Sequence, residues 1–275
     1  MRLRFWLHGV RFSIDTDAPL AGRLATSIMP GCLLRRRGTD RSHAAFAVKD
    51  SPGRLEVFRG RRRLWDVRSE AELIPWLEAE VVGWLLDRLG RYGRLHAAVA
   101  ERRGRAVVIA GRPDAGKTSL ACALGLAGWG IMSDEVALLE PGGKAVRSFP
   151  RAMLVKSGTA RRLKELLRFP PRRVTLDNGP ESVRYVNPAL IGGAVRARAR
   201  IVAVVFPERA RTCGVTDVGE LEATERLLSA SFDAASRGRR AVEMCVGLAR
   251  SVPRFRLRVG DLRQGARILG DAVGV

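Results

Sequence analysis

The chain has 275 residues, 46% of them apolar, enough to bury a core in one large domain or two unequal ones and too many for a disordered chain. No apolar run approaches the roughly 20 residues needed to cross a bilayer, and Met1-Arg2-Leu3-Arg4-Phe5-Trp6 does not open a signal peptide, so a cytoplasmic protein with no membrane partner is expected. The formal charge of +21 invites a nucleic-acid partner, yet only five of the 49 basic residues are lysines, which leaves 44 arginines spread along the whole chain. Such a bias reflects coding composition as easily as binding. With no zinc-finger or aromatic RNA-binding motif beside it, nucleic acid is the weaker candidate partner.

Residues 1 to about 68 read as short strands separated by Gly, Pro, Asp and Ser: 5–7 to 12–14, 44–48, 55–58 and 64–67. Arg35-Arg36-Arg37 and Arg61-Arg62-Arg63 read as solvated loop faces. His8 and His43 have no carboxylate or cysteine at ligand spacing and are expected to be structural or exposed. Ser69-Glu70-Ala71-Glu72 has the form of a capping box. Leu73, Leu77, Val81, Trp84 and Leu85 continue it at helical spacing, with Pro75 expected to delay or kink the start. Cys32, Cys122, Cys213 and Cys245 lie far apart and read as reduced packing thiols.

The strongest functional signal is Gly111-Arg112-Pro113-Asp114-Ala115-Gly116-Lys117-Thr118, a phosphate-loop pattern. Its context is right: the apolar run 106–110 suits a buried strand, and Leu120, Leu124 and Ala127 place one face of a following helix in the core. Glycines at 111 and 116 let the backbone turn its N–H groups inward around phosphate oxygens, and the helix start adds unpaired donors. Lys117 is then placed for the β and γ phosphates of a nucleotide such as ATP, and Thr118 offers a hydroxyl to Mg²⁺. Before the loop, residues 94–100 form a second candidate strand carrying His96, joined by a hairpin at Glu101-Arg102-Arg103-Gly104. After the helix, residues 131–139 read as one strand interrupted by Asp134-Glu135. An acid at a strand edge beside a phosphate loop suits a Mg²⁺ ligand or a catalytic base.

Farther on, residues 159–167 read as a helix and 169–180 as a basic, turn-rich loop able to close over a substrate. Residues 201–206 read as a buried strand, 219–231 and 235–251 as helices, and Phe255, Leu257 and Val259 alternate with arginines as a strand does. Arg151 and Lys156 are candidate substrate or phosphate contacts in a chain rich in surface cations.

His96, then the phosphate loop fifteen residues later, then Gly-Trp-Gly-Ile-Met-Ser-Asp-Glu, resembles the HPr kinase/phosphorylase family, above all its kinase-only relatives from lasso-peptide gene clusters. Ser148-Phe149-Pro150-Arg151-Ala152-Met153-Leu154-Val155-Lys156, Val204-Val205-Phe206-Pro207-Glu208 and Phe255-Arg256-Leu257-Arg258-Val259-Gly260-Asp261-Leu262 agree with later segments of that family, so the resemblance spans residues 92–270. It implies an α/β fold, with a β-rich lobe and connecting helix over residues 1–90 and a phosphate-loop catalytic domain over 91–275. It also implies assembly into a homo-oligomer. The family carries two aspartates where this chain has Asp134-Glu135. The resemblance therefore implies that Asp134 is the base, that Glu135 belongs to the Mg²⁺ site with Thr118 and Asp134, and that His96 orients Asp134. No counterpart of the glycine-rich segment of the bifunctional enzymes is present, so phosphorolysis is not expected.

The expected activity is transfer of the γ-phosphoryl group of ATP to a hydroxyl, a serine of a peptide or small protein, with Lys117, Asp134 and His96 at the reacting centre. A phosphate-loop ATPase or small-molecule kinase shares the loop but not the acceptor. A basic nucleic-acid-binding protein regulated by nucleotide is the other alternative.

Overall fold

The computed structural model describes residues 1–34, 43–176 and 179–275; Arg35-Arg36-Arg37 and Asn178, on which expectations were placed above, lie outside them. In chain order the described residues form β1 (Arg2–Leu7), β2 (Val10–Asp15), α1 (Ala18–Ser27), β3 (Ala44–Ser51), β4 (Arg54–Arg59), β5 (Arg62–Val67) and α2 (Glu70–Arg88). Next come β6 (Gly93–Arg102), β7 (Arg105–Ala110), α3 (Lys117–Leu126), β8 (Gly130–Ser133), β9 (Val136–Leu139), β10 (Ala145–Arg147), β11 (Met153–Lys156) and α4 (Ser157–Arg162). The remainder holds β12 (Arg172–Leu176), β13 (Gly179–Val186), β14 (Arg198–Arg209), β15 (Gly214–Asp217), α5 (Glu220–Ser229), α6 (Ala234–Ser251), β16 (Arg254–Val259) and α7 (Leu262–Val273). The architecture is mixed α/β. No helix among the described residues is long and apolar enough to cross a membrane.

The chain divides into two units, 1–90 with 150–160 and 166–187, and 91–149 with 161–165 and 188–275. The expected second domain of 91–275 is therefore interrupted. Its segments 150–160 and 166–187 join the first unit because β11, β13 and β12 pair as a separate antiparallel sheet and β12 packs against α2. The basic loop expected over 169–180 is for the most part this strand pairing, with Thr175 opposite Pro180 and Leu176 opposite Gly179.

In the first unit, five strands run in the order β1-β2-β3-β4-β5. His8 and Gly9, at φ 47° and 90°, make the two-residue turn between β1 and β2, a conformation that suits such hairpins. The unit's core stacks Phe5 on Phe12 at 4.6 Å and sets Trp84 of α2 edge-on to Phe12 and Phe46. Residues 1 to 68 are not all strand and turn: Asp17 caps α1 by accepting from the Leu20 N–H at 3.0 Å, ahead of a proline in the first turn. Ser69 caps α2 as the capping box requires, and the helix starts at Glu70 with Pro75 carried inside it. His43 Nδ1 accepts from the Arg11 N–H at 2.9 Å, a structural role.

The second unit is built on a sheet in the order β10-β9-β6-β7-β14-β16-β15, with β8 also on β6. Parallel pairing of β7, β14 and β16 points their C-terminal ends the same way, which is the edge where α/β sheets place ligands. The β6–β7 hairpin turns at Arg103 and Gly104, φ 54° and 80°. Leu95, Ala97 and Val99 pack with Ala223 and Leu227 of α5 and Cys245 and Leu248 of α6. Their alternates Ala98 and Ala100 are equally buried, and α3 packs on β6, β8 and α7. The helix expected over 159–167 is a shorter α4 followed by a 3-10 turn at Lys164–Arg168, and α6 breaks helical geometry at Gly238.

Candidate functional site

The phosphate-loop sequence folds as its residues require. Gly116, the residue before α3, sits at φ 96°, where any side chain is strained, and Asp114 holds φ 59°, which Asp tolerates better than most residues. A Cβ on Gly111 would lie 3.2 Å from that of Ala115, so the loop closes tightly across its base. The Ala115 N–H donates to the Arg112 carbonyl at 3.2 Å, and α3 begins with Leu120 donating to Gly116 at 2.9 Å. Arg112, Pro113 and Asp114 are exposed at the tip, and Thr118 is half-buried in the first turn of α3. Lys117 is only 5% exposed and folds back, donating to the carbonyls of Gly111 at 2.9 Å and Arg112 at 3.1 Å. Burial holds its ammonium below the ordinary lysine range, against the opposing pull of Glu135, Asp114 and Asp134.

Register explains why those acids reach the loop. Ala110, the last residue of β7, pairs with Ala97 of β6, and the preceding β6 residue, His96, pairs with Val136 of β9. The strand expected over 131–139 is two strands, β8 and β9, both on β6 with Asp134 and Glu135 pushed out between them. Ser133 closes this break, its Oγ accepting from the N–H groups of Val136 at 2.9 Å and Glu135 at 3.3 Å. The Glu135 carbonyl accepts from the Ala97 N–H at 3.1 Å. An acidic pair is thereby held level with the end of β7, across β6 from the strand that feeds the loop. Asp134 is 2% exposed, whereas Glu135 is half-buried.

Expected to orient Asp134, His96 meets the outer carboxylate of the pair, its Nδ1 lying 2.9 Å from Glu135 Oε1. Its ring also meets Phe232 edge-on, 5.9 Å between centroids. Residues 230–233, which follow α5, pair with β6 where β7 has turned away: His96 N–H donates to Ala230, Phe232 N–H to Arg94, and Leu95 bridges Ser231. Asp233 anchors the segment, accepting from the Arg94 backbone at 3.0 Å and from Arg94 Nε at 2.8 Å. Sequence reasoning missed both Phe232 and Asp233. No local pattern marks a residue that matters through pairing with a strand some 140 positions earlier. The seat of β8 was likewise hidden: a Cβ on Gly192 would come within 2.3 Å of the Trp129 carbonyl, so only glycine permits that backbone contact.

Arg151 and Lys156 belong to the first unit. Arg151 is buried, 3.0 Å from Glu78 Oε1, and Lys156 forms an exposed pair with Glu181 at 3.3 Å. The four thiols are free, and burial pushes those of Cys32 and Cys245 up to about 12, in keeping with packing roles. Among the described residues no three His, Cys, Asp or Glu side chains gather as a metal site.

No family model and no curated protein matches the chain. Among solved structures it is similar to the Hpr(Ser) kinase/phosphatase from Coxiella burnetii, at 13% identity and a TM-score of 0.33, over 65% of this chain and 95% of that one. This is a distant likeness of fold, and the functional conclusion below stands on the site's own geometry.

Proposed function

We propose that the chain is an ATP-dependent kinase that transfers the γ-phosphoryl group to a hydroxyl, a serine of a peptide or small protein. The observation that carries this is Lys117, a buried ammonium at the base of a phosphate loop, held by carbonyls and drawn by three carboxylates. A cation kept dry and, among the described residues, without a direct carboxylate contact suits an anion that arrives from outside, and polyphosphate is the anion for which such a loop is shaped.

In this mechanism the loop N–H groups and Lys117 hold the β and γ phosphates and neutralise charge as it builds on the leaving oxygen. The acceptor oxygen attacks the γ-phosphorus, the bond to the β–γ bridging oxygen breaks, and ADP leaves with that electron pair. Asp134, withdrawn from water beside the loop, takes the acceptor's proton. Glu135, turned by His96, holds the outer side of the mouth. The oxygen donors Thr118, Asp134 and Glu135 fit Mg²⁺, an ion that takes few protein ligands and supplies positive charge to phosphate oxygens.

The test is incubation with γ-labelled ATP and serine-containing peptides. Acid-stable label on a peptide hydroxyl is expected, and it should vanish in Lys117→Ala. Label released only as inorganic phosphate would make the chain an ATPase.

A further inference from the structure

A second concave site lies in the same unit, away from the phosphate loop. It is a cavity of about 330 Å³ between the start of β6, the turn after β9 and the first half of α6, and none of residues 111–118 lines it. Three arginines face it, Arg91, Arg237 and Arg240, and three acids, Glu140, Asp233 and Glu243. Each acid is matched by an arginine outside the lining set, and Asp233 also meets Arg237 of the lining at 3.3 Å. Arg147 and Arg198 meet Glu140 at 2.6 and 2.9 Å, Arg94 meets Asp233 at 2.8 Å, and Arg239 meets Glu243 at 2.8 Å. Seven guanidinium groups thus surround three carboxylates, and the cavity keeps a surplus of positive charge. Arg240 shows it most directly, its guanidinium meeting the Arg91 carbonyl and, among the described residues, no carboxylate.

The wall is shaped as well as charged. Gly93 brings the β6 backbone against Met244, whose sulfur would lie 1.9 Å from any Cβ placed there. Gly142 and Gly143 turn the opposite wall at φ 87° and 69°, conformations that disfavour side chains. Gly238, at φ 28° and ψ −101°, breaks α6 between Arg237 and Arg240, and both still face the cavity. Helix regularity is broken between two of the arginines that line the cavity.

We infer that this cavity binds a small polyanion, a ligand bearing phosphoryl or carboxylate groups, through Arg237, Arg240 and Arg91. Planar guanidinium groups match the paired oxygens of either group, and the volume lies at the compact end of small-molecule sites. The inference is independent of the kinase proposal.

Its test uses the full chain carrying Lys117→Ala, so that the phosphate loop contributes least, with pyrophosphate and citrate as probes at constant ionic strength. Either probe should raise the melting temperature in a saturable way. Arg240→Gln, an exposed position, should weaken that binding about tenfold, the loss expected for one charge-assisted hydrogen bond. Arg267→Gln, which removes the same charge from the exposed side of α7, should leave it unchanged. Stabilisation by pyrophosphate alone names a phosphoryl ligand, and by citrate alone a carboxylate. The inference is overturned if neither probe stabilises the chain, or if Arg240→Gln and Arg267→Gln weaken binding equally.

Discussion

Lys117 and Arg151 are both buried cations, 5% and 9% exposed, yet their surroundings are opposite. Around Arg151 a carboxylate, Glu78, is in contact at 3.0 Å, as Asp233 is around the buried Arg94. Around Lys117 the direct contacts are neutral carbonyls, and Glu135, Asp114 and Asp134 act on it only through space. A buried charge in contact with its counter-ion is scaffold: the pair is satisfied, and removing one partner strands the other. A buried charge held by dipoles is poised for a ligand, and the folded chain bears the cost of drying it until an anion arrives. Both residues are basic positions that a sequence offers as phosphate contacts; their surroundings separate them.

Removing the charge while keeping the bulk sharpens the contrast. Lys117→Met is expected to lower ATP turnover on the order of 10³-fold, the scale of losing one preorganised charge at a phosphoryl-transfer centre. Turnover within threefold of the parent would end the assignment. Arg151→Met should leave turnover of the folded fraction unchanged and destabilise the chain by about 3 kcal/mol in denaturant titration, because Glu78 stays buried without its partner. If Arg151→Met instead raised the KM for ATP at unchanged stability, Arg151 would be returned to the phosphate site.

Smaller effects divide the site itself. Asp134→Asn should lower kcat on the order of 10²-fold with ATP affinity intact, and excess Mg²⁺ should not rescue it. Rescue by metal would make Asp134 a ligand and leave the base to Glu135. His96→Ala, acting through Glu135, should cost about tenfold in a steady-state assay, and His96→Gln should recover part of that by replacing the hydrogen bond.

The smallest effect has an unusual sign. Burial lowers Lys117, so the native state sheds its proton at a lower pH than the unfolded chain does. The cost of the charge is fully present below the folded-state value and is relieved as pH rises towards that of a free lysine. Lys117→Met should therefore gain stability at neutral pH while losing activity, and the gain should shrink at alkaline pH. A gain that grew with pH, or a loss at neutral pH, would place a direct counter-ion beside Lys117.

What the amino-acid sequence by itself determined was whatever a few neighbouring residues can dictate. Gly111, Gly116, Lys117 and Thr118 specify a loop and helix start through local backbone angles, Ser69 and Glu72 cap α2, and Arg103-Gly104 turns a hairpin. The acidic pair was legible as an interruption of a strand, and its break between β8 and β9 follows from Ser133 turning the backbone. Only the tertiary structure decided that His96 meets Glu135, that residues 230–233 take the place beside β6 that β7 vacates, and that 150–160 and 166–187 join the first unit. Those are strand pairings between distant segments, chosen by which edges and apolar faces remain to be covered once the chain has collapsed. The same collapse gave two basic residues opposite surroundings, because burial and counter-ions belong to the packed neighbourhood, where the sequence order of Lys117 and Arg151 has no say.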